Sequence, residues 1–124
     1  MYKLFEEYFG DLNESESFDD YPKAATENAK KALKWRDEYG RDVVKGGTKV
    51  GWARANQLAK RESLSRDVVS RMAQFNRHRK NSKIADKYKG EPWKDNGYLS
   101  WLLWGGDAGV DWAIRKMEQL RKNK

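Results

Sequence analysis

Apolar side chains recur along this chain mostly at helical spacing, and turn residues cut the pattern into short pieces. Near the start, "YKLFEEYF" places Leu4, Phe5 and Tyr8 on one side of a short helix that Gly10 would end. The stretch "DLNESESFDD" is too polar and acidic to bury a face and reads as a linker. A stronger helix is expected from about residue 23 to 39, with Ala25, Ala29, Ala32, Leu33 and Trp35 or Arg36 at helical spacing. Pro22 suits its first turn and Gly40 its C-terminal cap. Thr48 is placed to cap the next helix, whose expected inward stripe is Val50, Ala53, Gln57 and Leu58. Gly51 within that helix implies that a neighbouring backbone or ring comes close.

After a short joint around "RESLS", Ser63 or Ser65 would cap a helix running to Asn81, with Leu64, Val68, Met72 and Phe75 inward. The segment "SKIADKYKGEPWKDNG" is a loop. Asp95 or Asn96 would cap the very apolar "GYLSWLLW", Gly105 would end it, and Asp107 would cap the last helix. Val110, Ala113 or Ile114, Met117 and Leu120 fall on that helix's inner side. No strand-length alternation and no internal repeat appears. The pattern predicts an all-α domain, a compact bundle of about five or six short helices. Its centre would be a basic αα-hairpin or helix-turn-helix-like corner.

The run "WLLWGGDAGVDWA" concentrates aromatic surface at a tight Gly-Gly-Asp turn. Gly105 can adopt the left-handed conformation that stops one helix, and Gly106 keeps the turn tight. Trp101, Trp104 and Trp112 would then flank a helix crossing. Trp101, Trp104, Gly105, Gly106, Asp107 and Trp112 are therefore read as a structural corner. Platforms that stack bases sit on exposed surfaces with basic neighbours, which this run lacks.

Charge changes the picture from fold to partner. The 124 residues carry a net +7. Residues 1–20 hold seven acids and one base, a net −6, and the rest holds twenty-five bases and twelve acids, a net +13. The chain divides into an acidic, aromatic arm (1–20) and a basic all-α domain (21–124). A body so charged attracts polyanions, of which nucleic acid is the commonest. The densest cations lie between Lys45 and Lys83. Lys49, Arg54, Lys60, Arg61, Arg66, Arg71, Arg77, His78, Arg79 and Lys80 are the candidate nucleic-acid contacts. The glycine-rich "KGGTKVG", beside a helix start, could serve as one backbone anchor for a phosphate.

Other chemistry finds little support. There is no cysteine and His78 is the only histidine, so a Cys/His zinc set is excluded, and neither HExxH nor a Walker sequence occurs. Asp95, Asp107 and Asp111 are close in sequence, but capping accounts for the first two. No catalytic residue, metal or cofactor is expected, and the chain is read as a non-enzyme. The longest apolar run, "YLSWLL", is far short of the roughly 20 residues a membrane span needs. The N-terminus lacks a secretory pattern.

Three blocks in order, "VGWARANQLA", "RMAQFNRHRKN" and "WLLWGGDAGVDWA", resemble a helical module of phage and prophage proteins that sometimes lies beside head-assembly regions. The positions that match are Arg54, Arg71, Met72, Phe75, Arg77, His78, Trp104, Gly105, Gly106, Asp107, Gly109 and Trp112. Many versions continue past the histidine with an acid, whereas this chain has "HRKNSK". The resemblance implies a phage origin, in host cytoplasm or virion interior, and supplies no activity. The combined expectation is a small nucleic-acid-binding protein, DNA favoured over RNA. The acidic arm could engage a protein partner. The alternative is a non-enzymatic phage structural or protein–protein interaction module.

Overall fold

The computed structural model describes residues 16–122, so the helix expected at residues 2–9 lies outside the described residues. In chain order the elements are β1 (Ser17–Phe18), α1 (Lys23–Tyr39), α2 (Lys49–Ala59), β2 (Leu64–Ser65), α3 (Arg66–Gln74), α4 (Asn96–Leu103) and α5 (Gly106–Lys122). Short 3-10 turns fill much of the way from α3 to α4. The molecule is mostly α, as the periodicity predicts.

Local chemistry starts the helices where the sequence places them. The Thr48 hydroxyl accepts a hydrogen bond from the Gly51 amide (3.0 Å), Ser65 from the Val68 amide (3.2 Å) and Asp95 from the Tyr98 amide (3.1 Å). Gly40 ends α1 with φ of 83°.

Packing then selects the faces. α1 buries Ala25, Ala29 and Ala32 against α2 and α5, and Thr26 donates to the Leu58 carbonyl (2.9 Å). α3 lies along α5, with Val69 and Met72 fully buried. The expected stripe on α3 is turned slightly, because Val68 is only half-buried and Val69 takes the inner place.

The stripe expected on α2 is wrong in phase. Val50 is 46% exposed and Ala53 is exposed, while Gly51, Arg54, Ala55 and Leu58 face inward. The indole of Trp104 lies on this inner side, with the Arg54 guanidinium over its ring at 5.1 Å. The close approach expected at Gly51 is present. A Cβ there would come within 3.3 Å of Leu103 and 3.5 Å of Trp104.

The joint between α2 and α3 takes the corner form rather than that of an antiparallel hairpin. α2 packs on α1 and α4, whereas α3 packs on α5. Two features turn the chain there. Arg61 adopts a positive φ of 56°. Leu64 and Ser65 pair antiparallel with Phe18 and Ser17, a two-residue ladder too short to read as alternation. Asp20 bonds Lys116 at 2.8 Å, and that ammonium holds its carboxyl below the usual aspartate range. The last residues of the acidic arm are thus tied to the body.

A further difference lies beyond α3. The helix expected to reach Asn81 ends at Gln74 and continues in 3-10 form from Phe75 to Ser82, kinked at His78. In a 3-10 turn, residues three apart eclipse one another. That spacing brings Phe75 against His78 in a tilted contact (ring centroids 4.8 Å) and lets Arg79 donate to Asn76 (2.7 Å). It also lays Phe75 flat against Trp104 at 4.9 Å.

The tryptophan corner is buried within the fold. Trp101, Trp104 and Trp112 are at most 8% exposed. Gly105 and Gly106 have φ of 96° and 64°, and the Asn28 amide of α1 donates to the Gly105 carbonyl (2.8 Å). Asp107 does not cap α5. It lies in the first turn of α5 and accepts the Trp101 indole N–H at 2.8 Å.

Candidate functional site

The ten candidate contact residues part into two groups. Six are engaged within the protein. Arg54 is buried (7% exposed) and donates to Gln57, and burial, helped by nearby Arg71, lowers its pKa. Arg61 donates to the Tyr21 carbonyl (2.6 Å) and the Thr26 hydroxyl (2.7 Å), bracing the corner between α2 and α3. Arg66 pairs with Glu16 (3.0 Å), Arg71 with Asp67 (3.1 Å) and Arg79 with Asp111 (2.5 Å). His78 is half-buried against Phe75. The other four, Lys49, Lys60, Arg77 and Lys80, are exposed with no ion pair among the described residues.

Arg54 gives a direct check on this division. Its Nε is buried with no hydrogen-bond partner among the described residues. Arg54→Met exchanges a costly buried charge for apolar packing of similar length under Trp104. We expect an unchanged or raised melting temperature by circular dichroism. A drop of many degrees would mean that the Gln57 bond and the ring contact outweigh the burial cost.

Lys49 belongs to a second cluster that the sequence shows only in part. Between the end of α1 and the start of α2 lies an open cleft of about 600 Å³ lined by Arg36, Arg41, Lys45 and Lys49 around the Trp52 ring. The connector's small residues make this cleft possible. Gly47 has φ of 84°, and a Cβ there would meet Leu103 at 2.6 Å and the Trp52 indole at 2.7 Å. Buried Val44 anchors the connector, and the Trp52 indole donates to the Gly46 carbonyl (3.1 Å). Arg36 lies over the Trp52 ring at 3.9 Å, within cation–π range. Its pKa is lowered by burial first and then by Arg41, with Asp37 opposing.

No ion pair engages these four cations among the described residues. A second cleft of about 600 Å³, bordered by Arg71 and Arg77, opens beside Val50. The first turn of α2 contributes a residue to each cleft, Lys49 to the first and Val50 to the second. Arg36, Arg41, Lys45 and Trp52 were not among the ten sequence candidates. The available signal was the recurrence of cations at 36, 41, 45 and 49, spanning the Gly-Gly pair.

Among the described residues, no three His, Asp or Glu side chains gather as metal ligands. No described helix is long and apolar enough to cross a membrane. No family model, curated protein or solved structure matches the chain.

Proposed function

We propose that this protein binds nucleic acid, DNA in preference to RNA, by its phosphodiester backbone and without catalysis. The observation that carries the reading is the cleft of Arg36, Arg41, Lys45 and Lys49, where four cations converge with no ion pair among the described residues. Arg77, which lines the second cleft beside Val50, would extend the contact. Phosphate contacts of this kind fix position and carry no sequence information. On the resemblance described above, the polyanion would be phage DNA.

The test is an anisotropy titration with labelled DNA at two salt concentrations. Four phosphate contacts predict roughly a hundredfold loss of affinity between about 50 and 200 mM salt, because each contact releases condensed counterions. An affinity that hardly changes over that range, or no binding at low salt, would refute the reading.

A further inference from the structure

Next in sequence to the cleft residues Arg36 and Arg41 lies a set of packed aromatic rings. Tyr39, the last residue of α1, stacks on Trp93 with centroids 4.0 Å apart and planes 13° from parallel. Trp35 meets Trp93 edge-on at 6.1 Å and lies 6.4 Å from Tyr98, which fixes Trp93 from behind. Trp93 covers one face of the Tyr39 ring, yet Tyr39 is still 37% exposed. Its uncovered side faces solvent next to Gly40, where even an added Cβ would meet nothing within 4 Å. Val43, on the same turn, is also 37% exposed. Two residues after Tyr39, Arg41 lines the cleft. Two residues span at most about 7 Å of chain, so the backbones of Tyr39 and Arg41 lie within that distance.

We propose that Tyr39, backed by Trp93, is a stacking platform for an unpaired base whose phosphate is held by Arg41 and Lys45, so that the preferred ligand is single-stranded DNA. The inference rests on the backbone-binding reading above and adds the form of the nucleic acid. Three things argue for this occupant. The ring is held parallel to a second ring, so it can be stacked upon at little entropic cost. Arg41, two residues further on, and Lys45 line the cationic cleft. A base in a duplex already has both faces covered by its neighbours and cannot use the platform.

Three labelled ligands of equal length separate the possibilities: oligothymidylate, a duplex, and a single strand with abasic sugars. Each is titrated against the wild type, Tyr39→Leu and Tyr39→Trp. Circular dichroism confirms that each variant is folded. Tyr39→Leu is expected to weaken oligothymidylate about tenfold while leaving duplex and abasic strand unchanged. Tyr39→Trp should restore the affinity, and the wild type should bind the abasic strand less tightly than oligothymidylate. Equal effects of Tyr39→Leu on all three ligands, or none on any, would overturn the platform while backbone binding stands. Failure of the wild type to bind any of the three at low salt would overturn both readings.

Discussion

Gly105→Ala is expected to cost the fold about 3 kcal/mol and lower the melting temperature by roughly 10 °C. Two penalties add at this position. The backbone sits at φ of 96°, where an L side chain is strained by about 1–2 kcal/mol. The new Cβ would also lie 2.9 Å from the Gly109 Cα, a backbone atom of α5 that cannot swing aside. Gly40→Ala is a control for strain without collision. Its φ of 83° and ψ of 162° form a conformation kept almost entirely for glycine, but nothing lies within 4 Å of the added carbon. Its loss, about 1–3 kcal/mol, reports backbone strain alone. Both are read by chemical denaturation, and a Gly105→Ala loss well under about 1 kcal/mol would show that the corner relaxes freely around a larger residue.

The largest effect on binding should come from the connector and not from the arginines of α3. Replacing Arg41, Lys45 and Lys49 together by glutamine removes three phosphate contacts. Affinity for DNA should fall about a hundredfold at low salt, and the slope of log K against log salt should shrink by about 3. These side chains lie on the surface without ion pairs among the described residues, so the melting temperature should hardly move. Replacing Arg66, Arg71 and Arg79 by glutamine should show the reverse, a lower melting temperature with the salt slope nearly intact. Each already sits against a carboxylate, so a phosphate gains less by taking it. Similar losses of affinity from both triple variants would mean that the bound phosphates displace those carboxylates.

The contrast between the two triples marks what a sequence can and cannot disclose. Helix starts were legible because caps act over three residues, as at Thr48, Ser65 and Asp95. The Gly105 turn was legible for the same reason. Rotation of α2 was not, because Ala53 and Arg54 compete for the inside and the Trp104 ring under Arg54 is distant in the chain. The 3-10 run past Gln74 is likewise imposed by the rings against which Phe75 packs. Counting charges locates a basic region but not its engagements. Glu16 is fifty residues from Arg66, and Asp111 is thirty-two from Arg79, so no local pattern reveals that those arginines are matched. The connector cations needed the opposite knowledge, that no carboxylate forms an ion pair with them among the described residues.

The contact between α1 and the Gly-Gly turn also bears on how this chain can evolve. The Ala25 methyl lies 3.4 Å from the Cβ positions of both Gly105 and Gly109, which makes the three sites one steric unit. Drift to a bulkier residue at any one of them is closed unless the helices separate. Diverged descendants should therefore keep all three small or alter them together, while Lys30, Lys34 and the outer face of α1 vary independently.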